Sequence, residues 1–151
     1  MSVQTNTGTV LSVSVGEPAT FNLAGFLAKT FTDIGEVTDI PEYGPNAQVI
    51  EHNALKGNIT KKYKGFIDYG STAIQLARDT SDAGQNILDA ATDGATRNSE
   101  HSFKVGYQDG SADFFIGKVF SCTSNPSSAN SIIGRSAGIE INSPIIRFIE
   151  G

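Results

Sequence analysis

The chain has 151 residues, with 16 acidic and 11 basic side chains and a formal net charge of -5. That balance argues against a tight nucleic-acid binder, which needs clustered Lys and Arg to displace phosphate counterions. The length allows one domain that buries roughly 68–70% of its unfolded surface, and the lone Cys122 excludes an intramolecular disulfide.

Residues 1–9 are polar and rich in Thr and Gly. They read either as a frayed terminus or as an arm that orders against a neighbouring subunit. The stretch Met1–Asn6 lacks the basic and apolar regions of a signal peptide, and no apolar run approaches the ~20 residues of a membrane span. Val10–Val15 alternates, setting Leu11, Val13 and Val15 on one strand face. Phe21 to Phe31 is irregular, with Phe21, Leu23, Phe26 and Leu27 expected in the core. Thr30–Ile34 reads as a short strand before Gly35.

Tyr43–Gly65 gives the weakest structural signal. Two readings stand: a long loop, which in a compact domain is usually functional or disordered, or a long twisted hairpin in water. It contains Lys56 and the basic run Lys61-Lys62-Tyr63-Lys64. Ser71–Arg78 reads as a strand. Ser81-Asp82 then starts a helix: Asp82 with Gln85 three residues on resembles a capping box. Ala83, Ile87, Leu88 and Ala91 share one helical face, and Gly94 ends the helix.

Glu100–Tyr107 alternates, with His101, Phe103, Val105 and Tyr107 on one face. Asp109-Gly110 fits a two-residue type I′ hairpin turn. The return strand, Ala112–Cys122, carries Phe114, Phe115 and Ile116 in succession, so both of its faces are covered. A polar loop, Ser124–Asn130, precedes a final strand over Ala137–Ile149 that bends near Pro144.

The residues offer little for chemistry. His52 and His101 belong to no metal-spaced cluster, and no cofactor motif is present. His101 reads as a strand-face packing residue. Cys122 sits at a strand end and reads as structural. Glu36, Asp39 and Glu42 are spaced by three, but Gly35, Pro41 and Gly44 oppose a helix, so they read as solvated loop charges. Gly134–Gly138 lacks the phosphate-loop pattern. The Lys61–Lys64 run has only Tyr63 as an aromatic platform, and reads as an interface or a solvated loop before a nucleic-acid site.

The order of these features resembles the tail tube (major tail) proteins of long-tailed bacteriophages, lambda-like type. The matching residues are Asp82-Ala83-Gly84-Gln85, Phe103–Gly110, Phe115-Ile116-Gly117-Lys118-Val119, and Arg135, Ile139, Ile141 and Pro144. The resemblance runs from about Asp33 to Ile149, and the sequence of motifs carries it. It implies a mainly β fold, a sandwich or small barrel with one flanking helix. It implies a single tail-tube domain over residues 1–151, without the immunoglobulin-like C-terminal domain of some members.

By that resemblance the protein is a structural, non-enzymatic virion component without cofactors, made in the host bacterial cytoplasm. Six copies close a ring, and rings stack into a hollow tube. The implied partners are further copies and the tape measure, tail tip and tail terminator proteins. DNA is a passive passenger, and no membrane is involved. Tyr43, Lys56, Lys61, Lys62, Tyr63 and Lys64 are the expected inter-subunit or ring-stacking residues. A different class remains open on the residues alone: a monomeric β-sandwich binding module, adhesin-like or carbohydrate-binding.

Overall fold

The computed structural model describes residues 3–149; Met1 and Ser2 of the expected arm lie outside them. In chain order the elements are β1 (Val10–Val15), α1 (Leu23–Leu27), β2 (Thr32–Asp33), β3 (Val37–Asp39), β4 (Asn46–His52) and β5 (Lys61–Asp68). They continue with β6 (Ser71–Ala77), α2 (Ala83–Asp93), β7 (His101–Gly106), β8 (Ala112–Asn125), β9 (Gly134–Ile141) and β10 (Ile146–Phe148).

Eight strands form one antiparallel sheet in the order β2-β1-β7-β8-β9-β6-β3, with β10 on β8. It is curled into a half-barrel, which is the barrel-like of the two forms expected. β9 and β10 run in succession along the same strand: Ile141 lies opposite Gly117, and Ile146 opposite Phe114. The excursion between them contains Pro144. Ser143 Oγ there accepts from the Ile116 amide at 2.8 Å, so the expected bend is a bulge tied to β8.

α2 exists because its apolar period matches a helix and its start is capped. Asp82 accepts from the Gln85 amide at 2.9 Å and from the Gly35 amide at 3.1 Å. The Gln85 side chain does not return to Asp82 as a capping box requires. It donates to the carbonyls of Ala77 (2.9 Å) and Gly35 (3.2 Å) and accepts from the Asp79 amide at 3.1 Å. The buried helical face is therefore Gly84, Gln85, Leu88 and Ala91, with Ala83 exposed. Gly84 is required there: a Cβ would stand 2.4 Å from the Asp33 carbonyl oxygen.

Leu88 and Ala91 pack on a core of Leu11, Val13, Ile74, Leu76, Phe103, Phe115 and Ile139. A smaller core forms from Ala112, Phe114 and Ile116 with Phe26 of α1. α1 was not expected. Asn22 caps it, accepting from the Gly25 amide at 2.8 Å. One helical turn buries one side, so Phe26 is in the core while Phe21 and Leu27 are about half exposed. Val15, past the covered part of β1, is likewise exposed.

The β7–β8 turn also differs from the expected form. Gly110 has φ +92°, whereas Asp109 is not at positive φ. The Gly110 amide donates to the Tyr107 carbonyl at 3.1 Å, and the Tyr107 amide to the Ser111 carbonyl at 2.8 Å. This is a three-residue loop, a turn followed by a left-handed glycine. The Gln4 side chain of the arm accepts from the Asp109 amide at 3.1 Å, so the arm lies against this turn.

Candidate assembly surface

Of the two readings of Tyr43–Gly65, a long loop or a long twisted hairpin, the structure has the hairpin. β4 and β5 pair over Asn46↔Asp68, Ala47↔Ile67, Val49↔Lys64, Ile50↔Tyr63, Glu51↔Lys62 and His52↔Lys61, with a bulge between Ala47 and Val49. Only residues 53–60 are loop proper. The sequence left both readings open because the strands are exposed on both faces, so neither the alternation of a half-buried strand nor a buried apolar run is present.

The hairpin forms a two-stranded sheet of its own, apart from the eight-stranded one. Val49, Ile50, Tyr63 and Ile67 are at least half exposed, and Phe66 is 90% exposed. A two-stranded hairpin is marginal in water by itself. Clustered exposed apolar side chains on one mark a contact surface.

The six expected site residues separate along this element. Strand alternation puts Lys61 and Tyr63 on one face with His52 and Ile50, and Lys62 and Lys64 on the other with Glu51 and Val49. Lys56, in the loop, joins the first group. His52, Lys56, Asn58, Ile59, Lys61 and Tyr63 line an open concavity of about 470 Å³ at the hairpin tip.

Tyr43 is elsewhere, at the hairpin root. Its hydroxyl donates to Asp113 at 2.5 Å and also meets the Tyr107 hydroxyl, which itself donates to Asp113 at 3.1 Å. Its ring packs on Phe115, centroids 5.8 Å apart. Burial first, then the Asp113 carboxylate, pushes the Tyr43 hydroxyl far above its usual range. Burial also raises Tyr107. Both phenols stay protonated and act as donors, tying the root to β7 and β8. The Gly44 amide donates to the Tyr69 carbonyl at 3.3 Å and closes the root. This cluster joins residues 64 and 70 positions apart, so no local pattern announced it.

The groups with chemical potential are engaged in packing. His101 is fully buried, with Nδ1 donating to the Ser99 carbonyl at 3.0 Å; burial lowers its pKa and keeps it neutral. Burial pushes the Cys122 thiol up to about 11. Beside it, Arg135 donates to Asp89 through Nη1 and Nη2, which lowers the Asp89 pKa. Among the described residues, no three His, Cys, Asp or Glu side chains converge as metal ligands do.

The fold is that of phage tail tube proteins. A chain of the C6-symmetric tail of an empty gene transfer agent particle matches with a TM-score of 0.69 at 12% identity, over 97% of this chain and 100% of that one. The SPP1 tail tube matches with a TM-score of 0.65 at 13% identity, over 94% of this chain and 77% of that one. A chain of the 6-fold symmetrised anti-feeding prophage baseplate matches at 0.65 and 7% identity, over 98% and 97%. At these identities the likeness is one of fold. No protein-family model matches the chain, and no curated protein matches it in sequence.

Proposed function

We propose that this protein is the structural subunit of a phage tail tube. It self-associates into hexameric rings, and the rings stack into a hollow conduit through which DNA leaves the virion for the host. The observation that carries this reading is the β4–β5 hairpin, a separate two-stranded sheet with apolar side chains exposed on both faces. It is a poor structure for a monomer and a suitable one for burial between copies. The similarity of fold to chains of a C6-symmetric tail and of a 6-fold symmetrised baseplate supports the same stoichiometry.

The role is mechanical. Its partners are copies of itself along the tube, and at the ends the tape measure, tip and terminator proteins. The lambda-like assignment rests on the order of sequence motifs. The net charge of -5 suits a wall past which a polyanion slides without being held. A monomeric binding module leaves the hairpin unexplained.

Sedimentation velocity over a concentration series tests the reading. The 15.9 kDa chain is expected to give way to species at six times its mass and then to larger stacks. A single 15.9 kDa boundary at all concentrations contradicts it.

A further inference from the structure

Charge is segregated along this chain. Residues 46–68 contain Lys56, Lys61, Lys62 and Lys64 but only two carboxylates, Glu51 and Asp68. Residues 30–45 contain no basic side chain and carry Asp33, Glu36, Asp39 and Glu42. Those four carboxylates lie on or beside β2 and β3, and Glu36, Asp39 and Glu42 are exposed. β3 is an outermost strand: it pairs with β6 on one side, and no described strand pairs with it on the other.

Neither set is neutralised within the protomer. The ion pairs among the described residues are Lys118–Glu100 and Arg135–Asp89, and neither involves the hairpin lysines or Glu36, Asp39 and Glu42. The hairpin rises from the end of β3, yet its lysines do not fold back onto it.

We propose that the concavity formed by His52, Lys56, Lys61 and Tyr63 receives the outer edge of β3 from a second copy, with Glu36, Asp39 and Glu42 as counter-charges. This deepens the self-assembly reading and rests on it. Donor and acceptor patches differ, so the contact is heterologous: it propagates head to tail, and it closes into a ring or continues as a stack. Each exposed charge pair contributes little alone. Together they set register and steer encounter while the apolar side chains of the hairpin supply burial. Covering β3 also removes an exposed sheet edge.

The test is a charge swap. Lys56→Glu with Lys61→Glu is expected to slow assembly, followed by light scattering, about tenfold or more, as is Asp39→Lys with Glu42→Lys. The quadruple variant is expected to recover assembly, as is a 1:1 mixture of the two double variants. All these side chains are exposed, so melting temperatures are expected to stay at the wild-type value. Raising salt from low to about 0.5 M is expected to slow the wild type by a similar factor.

Failure of both the quadruple variant and the mixture to recover overturns the proposal, as does wild-type assembly by either double variant, or salt-independent assembly. If tubes form but charges do not matter, only this contact is wrong. If association obeys the charge rules but yields no ring or tube, the tube reading is wrong and the contact stands. A wild type that stays monomeric contradicts both.

Discussion

Phe114 and Phe115 are neighbours in sequence, yet they are buried on opposite faces of β8 in separate cores. Phe115 stacks on Phe103 at 5.4 Å between ring centroids, and Phe114 stacks on Phe26 of α1 at the same distance. β8 is thus covered on both sides, by α2 and the larger core on one and by α1 on the other.

Each phenylalanine is therefore expected to support a different helix. Phe114→Ala and Phe115→Ala are each expected to cost about 3–5 kcal/mol. Hydrogen exchange separates them. Phe114→Ala is expected to expose residues 23–27 first, and Phe115→Ala residues 83–93. Identical exchange maps contradict the two-core arrangement.

Leu88, fully buried on α2, is expected to cost about 2–5 kcal/mol on replacement by Ala. Chemical denaturation measures this. A loss below about 0.5 kcal/mol contradicts the assigned helix face.

The pH dependence has a defined sign. His101 has a folded-state pKa below its ordinary 6.5 because burial disfavours the imidazolium. The unfolded chain then binds the extra proton, so this contribution is fully present above about pH 6.5 and is lost as pH falls towards the folded-state value. Urea midpoints are expected to fall on acidification from pH 7, and His101→Gln is expected to flatten that slope. An unchanged slope in the variant contradicts a neutral buried His101. The Asp89 carboxylate, also depressed, acts at lower pH: its contribution is present above the unfolded carboxylate pKa and fades below it.

Much of this fold was legible from residue order alone, where one face of an element is buried. β6 shows it most simply: Thr72, Ile74 and Leu76 point in, while Ser71, Ala73 and Gln75 point out. α2, with Asp82 before it and Gly94 after it, is equally direct. The run Phe114-Phe115-Ile116 announced a strand covered on both sides. What failed to show was governed by other physics. α1 is a single turn whose signal is one Asn cap. Gln85 looked like part of a cap, but its amide serves three backbone groups outside the helix, those of Gly35, Ala77 and Asp79. The candidate site was half legible: composition revealed its lysines, but their division between two faces depends on a ladder whose exposed strands carry no burial pattern.

The arm gives a further expectation. Residues 3–8 are exposed and touch the body through Gln4 on the Asp109 amide. Deleting residues 1–9 is expected to leave the melting temperature within about 2 °C of wild type while slowing tube growth. Ordering a polar arm costs entropy that contacts with a neighbouring copy offset. Normal melting together with normal growth contradicts a role for the arm in assembly.

Hydrogen exchange on free monomer and assembled tube tests the hairpin itself. Its amides, residues 46–68, are expected to exchange readily in the monomer, because a lone two-stranded ladder opens easily, and to be protected in the tube. Equal protection in both states contradicts its burial between copies.

Electron microscopy of the purified protein at high concentration shows whether this chain builds a hollow tube. End-on class averages are expected to show six-fold symmetry around an open lumen, and side views to show stacked rings. Dispersed monomers, or assemblies without a lumen, contradict it.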